Sequence, residues 1–408
     1  MPNLRRGMMA AAGADAGGPA TYQLWAWGSD DEGRLGLGDI GNISSPQQIG
    51  TDFMGTLDVA DEGIITTGNR LFTDFDASAA VKGDGTLWTW GYNNLGQLGI
   101  GDTTVRSSPV QVGSLTNWRS ICMLQQAMCA TKTDGTLWGW GYGSTTTPRC
   151  SGQTSNVSSP VQIGSDTDWG GVLATNVSLD TSILGIKTTG QLYMWGSVGG
   201  DGAYWSQGVI SAAGYSVLPV AVDDKNYVMA SCSRDNVWAV DNTGKLWSWG
   251  KNNYGQLGLG DKVFRSSPSQ VGSATDWTWV SGDYTGEIFL GAKDNGEIWT
   301  SGRNDTGLMG LESITSYCSP VQVGGPGNWQ SGGHGLAQGT AHAITDAKGN
   351  NTGGALWCLG GSGTSGVKGD GTTTTVSSPV QIGSDTTWVA LTKQGTYSSD
   401  TKLAIKKA

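Results

Sequence analysis

Short runs of alternating hydrophobic and polar residues recur along the chain. The clearest is an aromatic run ending in glycine: Leu24-Trp25-Ala26-Trp27-Gly28, Leu87-Trp88-Thr89-Trp90-Gly91, Leu137-Trp138-Gly139-Trp140-Gly141 and Leu246-Trp247-Ser248-Trp249-Gly250. Worn copies end at Trp195-Gly196, Ser301-Gly302 and Leu359-Gly360. Tryptophans two residues apart share one face of a β-strand. Before the run stands a tight-turn pair such as Asp84-Gly85, Asp134-Gly135, Thr243-Gly244 or Asn295-Gly296. Upstream lies another short strand, and downstream come a polar glycine loop and an extended segment like Pro109-Val110-Gln111-Val112-Gly113. A further tryptophan opens the next strand at Trp118, Trp169, Trp277, Trp329 and Trp388. The recurring prolines Pro46, Pro109, Pro160, Pro219, Pro268, Pro320 and Pro379 set a period of about 55 residues, the scale of solenoid and propeller repeats. About four short antiparallel strands per unit make a propeller blade.

The two ends of the chain complement each other. The chain enters at the Trp25–Trp27 strand without the two strands that precede it in other copies, and Trp388 through Lys406 supply two strands and then stop. The expected fold is therefore all-β: a seven-bladed propeller of four-stranded antiparallel blades, closed by N- and C-terminal strands in one blade. Closure avoids exposed strand edges. Residues 21–408 are expected to form this body, with residues 1–20 as a Gly/Ala-rich arm.

Composition narrows the chemistry. The 408 residues include 67 glycines and only 14% charged residues, with a formal charge of −10. Clustered Lys and Arg, which bind phosphate backbones, are scarce, so general nucleic-acid binding is not expected. No apolar stretch of 18 residues exists, so membrane insertion is not expected either. Six cysteines lie scattered without a C-x-x-C pair and read as small buried thiols, not as a zinc site or disulfide framework. The arm has Arg5-Arg6 near its start, but its apolar middle is short and Asp15 follows at once, which does not read as a secretory leader.

The Leu-Trp-x-Trp-Gly, Asn-x-x-Gly-Gln-Leu-Gly-x-Gly-Asp and Ser-Ser-Pro-Val-Gln-Val-Gly elements resemble the repeats of the regulator of chromosome condensation family. Residues 87–113 and 246–272 match most closely, and the resemblance covers about residues 22–408. It is specific for the fold and weakly specific for function. The fold family it points to includes nuclear nucleotide-exchange factors, a plant ultraviolet photoreceptor, secreted β-lactamase inhibitors, and bacterial and phage proteins.

Candidate chemistry is sparse. Each of the 19 tryptophans that recurs at a fixed blade position is expected to pack between blades, and the photoreceptor's Trp-rich motif is absent. His342 falls where other repeats hold Ala79, Cys129, Leu184, Trp238, Leu290 and Leu403, so it reads as a structural residue; His334 adds no metal or catalytic pattern. The Gly361–Gly366 string matches G-x-G-x-x-G but lacks the following helix that phosphate cradling needs. Asp39, Asp102 and Asp261 read as turn caps, not calcium ligands. No catalytic, cofactor-binding or metal-binding residue is assigned.

Breaks in the repeat carry more information, because function on a repeat scaffold lives where the pattern fails. The third unit replaces its Gln-Leu-Gly loop with Gly143 to Cys150, and the fourth with a stretch holding Tyr204, Trp205 and Tyr215; Asp61 to Asp74 lengthens the first connection. The expectation is a non-catalytic structural or binding propeller, set in a tailed-phage particle as a capsid-surface, tail or fibre-associated subunit. Its partners would be other protein subunits. The arm would dock through Arg5 and Arg6, while Tyr204, Trp205 and Tyr215 present an aromatic contact. The alternatives are a nucleotide-exchange or chromatin-type regulator and a secreted inhibitor or adhesin.

Overall fold

The Leu-Trp-x-Trp-Gly runs fold as third strands, each made by a tight turn behind it and a left-handed glycine ahead. In the second unit β4 (Leu71–Thr73), β5 (Ala77–Val81), β6 (Leu87–Gly91) and β7 (Arg106–Gln111) pair in order as one antiparallel sheet. Gly85 turns the chain at φ 77° and Gly91 ends β6 at φ 102°, angles that cost a side-chain-bearing residue about 1–2 kcal/mol. The computed structural model describes residues 21–30, 32–51, 55–56, 70–73, 77–124, 126–143, 155–177, 180–197, 215–233, 235–283, 286–325, 329–337, 340–345, 354–361, 368–391 and 401–408.

The same order recurs. β8 (Trp118–Leu124), β9 (Ala127–Lys132), β10 (Leu137–Gly141) and β11 (Val157–Gln162) form one sheet. β19 (Trp277–Gly282), β20 (Ile288–Lys293), β21 (Ile298–Gly302) and β22 (Tyr317–Gln322) form another, and β23 (Trp329–Ala337), β24 (Thr340–Thr345), β25 (Leu356–Gly361) and β26 (Val380–Ile382) a third. The alignment read from sequence is the pairing observed. Ala79 faces Thr89, Cys129 faces Gly139, Leu184 faces Met194, Trp238 faces Ser248, Leu290 faces Thr300, His342 faces Cys358 and Leu403 faces Ala26.

Closure also follows the sequence. β1 (Thr21–Gly28) pairs with β28 (Thr401–Lys407), which pairs with β27 (Trp388–Leu391), while β2 (Ile43–Ile49) flanks β1 and the short β3 (Gly55–Thr56) adds to its start. The first strands of successive units touch in turn, β4 on β8, β8 on β12 (Trp169–Val177), β12 on β15 (Tyr215–Cys232), β15 on β19, β19 on β23 and β23 on β27, and β28 returns to β4.

One feature departs from separate four-stranded units. β12, β13 (Asp180–Lys187), β14 (Gln191–Ser197), β15, β16 (Asn236–Asp241), β17 (Leu246–Gly250) and β18 (Arg265–Gln270) form a single seven-stranded sheet, so the described strands fall into six sheets. In five other units a left-handed glycine ends this segment, as at Gly113 (φ 59°) and Gly272 (φ 59°). Here Asp223 stands at that place, and without glycine the backbone stays extended through 18 residues.

The units are locked together by the glycine loops. Trp140 donates its indole N–H to the Gln97 carbonyl of the preceding unit at 2.9 Å, and Trp90 likewise to Arg34 at 2.9 Å; within one unit Trp238 donates to Gln256 at 3.2 Å. Gly99 lies flat on the Trp140 indole, where a Cβ would come within 2.5 Å of Nε1. Gly101 N–H then binds the Ser158 carbonyl at 2.7 Å, and Gly38 N–H binds that of Ser107 at 2.9 Å. The last loop repeats the arrangement on the first sheet: Gly369 lies on Trp27, and Gly371 N–H binds the Ser44 carbonyl at 3.0 Å. Trp27, Trp90, Trp140, Trp195 and Trp249 are buried as packing residues, each worth about 2–3 kcal/mol of apolar burial.

The outer strands β2, β7, β11, β18 and β22 each contain a proline and lie at sheet edges, which blunts pairing with other chains.

Gly99→Ala and Gly113→Ala separate backbone strain from the lock. Both sites have positive φ, but nothing lies within 4 Å of a Cβ at Gly113. Gly113→Ala should cost about 1–2 kcal/mol, and Gly99→Ala at least about 1 kcal/mol more because the Trp140 indole must shift. Denaturant unfolding of the two variants checks the difference.

Candidate protein-binding surface

The loops that make the lock also present four of the five large apolar residues exposed among the described residues; the fifth, Leu115, follows β7. Asn93 donates to the carbonyls of Asp102 (3.0 Å) and Thr104 (3.1 Å), while its Oδ1 accepts from Leu98 N–H at 2.9 Å. Asn252 repeats this with Asp261, Val263 and Leu257, and Asn304 with Ser313 and Met309. The aspartates cap the same loops. Asp102 accepts from Thr104 N–H at 2.9 Å and pairs with Arg106 at 2.6 Å; Asp261 accepts from Val263 N–H and pairs with Arg265 at 2.7 Å. These backbone N–H bonds and arginines hold both carboxyls below the usual carboxylate range. The turn-cap reading of Asp102 and Asp261 therefore holds.

At the tips stand Ile40, Val105, Val263 and Ile314, exposed at 69%, 42%, 59% and 69%. Each lies four to six residues before its loop's proline, so the units raise aliphatic studs at matching places. The studs sit on turns already ordered by side-chain caps, so a partner binding there would pay little ordering entropy.

On the opposite ends of the strands lies a feature the sequence reading missed. Lys132 sits over the Trp138 ring at 3.5 Å and the Trp118 ring at 4.8 Å. Lys187, between Trp169 and Tyr193, Lys293, between Trp277 and Trp299, and Lys406, between Trp25 and Trp388, occupy the same place. Carboxylates join them: Asp166 (2.8 Å) and Asp168 (2.9 Å) on Lys187, Asp276 (3.2 Å) on Lys293, Asp385 (2.6 Å) on Lys406. In the unit containing β16 the charges are exchanged. Asp241 takes the lysine's place and accepts from Trp247 Nε1 at 2.8 Å, while Lys225 covers that ring at 4.8 Å. Lys132 has no carboxylate at these positions, only Leu115 and Asn117, and burial pushes its pKa down. The available sequence clue was a lysine recurring just ahead of the tight turn.

Of the residues singled out from sequence, Arg5, Arg6, Tyr204 and Trp205 lie outside the described residues. Tyr215 opens β15, its backbone paired with Ser197. Most of the Asp61–Asp74 segment and the Gly143–Cys150 loop also lies outside them, as do residues 362–367 of the glycine string. His342 is fully buried. Its Nε2 lies 3.1 Å from the Lys368 carbonyl and its ring meets Trp27 edge-on at 6.0 Å. Burial pushes its pKa down to about 3, aided by the Lys402 charge, so it is a neutral packing residue near pH 7. Cys122 and Cys129 face each other across β8 and β9, both buried, and burial pushes the Cys358 thiol up to about 12.

A family model described as the regulator of chromosome condensation (RCC1) repeat matches residues 23–60, 84–125 and 243–282. The X-linked retinitis pigmentosa GTPase regulator of Canis lupus familiaris is 32% identical over 145 residues, covering 34% of this chain and 14% of that protein. The mitochondrial RCC1 domain-containing protein RUG3 of Arabidopsis thaliana is 28% identical over 205 residues, 48% of this chain and 43% of that one. The chain thus spans less than half the length of these relatives. Among solved structures, yeast RCC1 (Prp20) bound to Kap60 superposes with a TM-score of 0.74 at 15% identity, over 95% of this chain and 89% of that one. Human WBSCR16 gives 0.73 at 15% identity, over 95% and 99%. At this identity the structures speak for the fold alone.

His342 provides a pH test. Its folded pKa lies below the ordinary 6.5, so the unfolded chain binds the extra proton and stability falls as pH drops from about 6.5 toward 3. His342→Gln, which keeps a donor for the Lys368 carbonyl, should flatten that slope between pH 6.5 and 4 in denaturant titrations.

Proposed function

We propose that this chain, a member of the regulator of chromosome condensation repeat family, is a non-catalytic binding propeller that engages other proteins through its loop-bearing rim. The observation that carries this reading is the set of exposed aliphatic tips, Ile40, Val105, Val263 and Ile314, on loops held rigid by Asn and Asp caps. Apolar residues presented together on a rigid polar frame are what a protein partner desolvates. The yeast RCC1 chain that shares the fold was crystallised bound to Kap60, a protein partner of that molecule.

The setting we propose is a tailed-phage particle, with residues 1–20 docking the propeller on a neighbouring subunit through Arg5 and Arg6 while the rim faces outward. Low-charge, closely similar repeats and a Gly/Ala arm with no core of its own support it. A regulatory reading draws on the relatives' names, which include a GTPase regulator; accelerated release of guanine nucleotide from a small GTPase would establish it instead.

Replacing Ile40, Val105, Val263 and Ile314 together with Ser should leave unfolding within about 1 kcal/mol of the parent, since exposed positions contribute little, and should remove captured protein partners in affinity purification. Unchanged capture would refute the rim. Deleting residues 1–20 should leave the propeller folded and absent from purified particles, as read by mass spectrometry.

A further inference from the structure

Between the sheet of β15–β18 and that of β19–β22 lies an open cavity of about 300 Å³, walled by Trp277, Trp299, Val271 and Pro320 and reaching Lys293 and Ala274. Its origin is visible in the repeat. The residue three places before the strand-opening tryptophan is Leu115, Asp166 and Asp385 in other units, and Ala274 here. Asp166 and Asp385 each place a carboxylate on the lysine of their unit, at 2.8 and 2.6 Å. At Ala274 that carboxylate is missing, and Ala274 lines the notch beside Lys293.

Lys293 pairs with Asp276 Oδ1 at 3.2 Å, its one carboxylate among the described residues. Lys187 shows that the same aromatic cradle holds a lysine with two carboxylates at once, Asp166 and Asp168. A second carboxylate on Lys293 therefore has a template within the molecule. The ring walls supply apolar contact for the methylene groups that would carry it, and the ammonium, flanked by Trp277 and Trp299 at 5.3 and 5.0 Å, is already oriented.

We propose that the Ala274 notch receives an exposed Asp or Glu side chain from a partner protein, whose carboxylate completes the Lys293 cluster as Asp166 completes that of Lys187. This deepens the protein-binding reading on which it rests, by adding a charged anchor on the outer wall between two sheets. The intrachain pairs define the geometry: an ion pair of ordinary length beside two aromatic rings, with the chain bearing the acid running past Gly272 and Ser319.

The probes are Ac-Gly-Asp-Gly-amide and Ac-Gly-Glu-Gly-amide against their Asn and Gln twins, followed on the full chain by saturation-transfer NMR. At least one acidic peptide should bind about fivefold more tightly than its amide twin, the factor set by roughly 1 kcal/mol of half-exposed ion pairing. Raised salt should remove the difference. Ala274→Asp should abolish binding by supplying the carboxylate internally, and should raise the melting temperature; Lys293→Met should abolish it without that gain. Equal binding of acid and amide peptides, or acidic binding that survives Ala274→Asp, overturns the proposal. Should Lys293→Met fail to fold, Ala274→Asp decides alone. These probes do not involve the loop tips, so their failure is distinguishable from failure of the rim.

Discussion

The contact on which the structure depends joins a buried indole of one unit to a loop carbonyl of the unit before it. Trp140 reaches Gln97 and Trp90 reaches Arg34. The bond requires the loop to lie flat on the ring, and glycine is the residue that permits it. A side chain at Gly36, Gly99 or Gly369 would collide with the indole beneath. An indole N–H is costly to bury without an acceptor, so the same contact satisfies the donor and fixes the distance between neighbouring sheets. The Asn-x-x-Gly-Gln-Leu-Gly-x-Gly-Asp motif is the imprint of this joint.

From the joint follows the surface. A loop pinned on the next sheet by Trp and by the Ser-Ser-Pro backbone has little freedom at its tip, and its Asn and Asp caps remove most of what remains. The exposed aliphatics are therefore presented at fixed places. Away from the tips, the lysine clusters hold the outer parts of the sheets by pressing an ammonium between two rings. In one unit the charges are exchanged, with Asp241 in the lysine's place and Lys225 over the ring. At Ala274 the carboxylate is absent, and the residue lines a cavity.

Much of this was legible in the sequence, for identifiable reasons. Trp388 and Leu403–Lys406 at one end and Trp25–Trp27 at the other could be joined because each repeat has the same strand order, and β1 pairs with β28 as that order requires. Aligning His342 with Ala79 and Cys129 located a buried packing position before any contact was known. The continuous β15 was not foreseen. It turns on one replacement, Asp223 where five other units have a left-handed glycine, and the Pro-Val landmark around Pro219 concealed it. The lysine clusters escaped because their members come from three separated segments, and only cross-strand packing brings them together. The aromatic contact expected at Tyr204 and Trp205 falls outside the described residues, so the rim of aliphatic tips, which the composition did not single out, carries the functional reading.

Repeated Trp-to-loop joints make the sheets one cooperative body. Hydrogen exchange at the indole N–H groups of Trp90 and Trp140, followed by NMR with labelled tryptophan, tests this most directly. If the joints open only when the whole body unfolds, the two groups share one exchange free energy, equal to that of global unfolding. Two different values, each well below the global one, would show units that open independently and would contradict it.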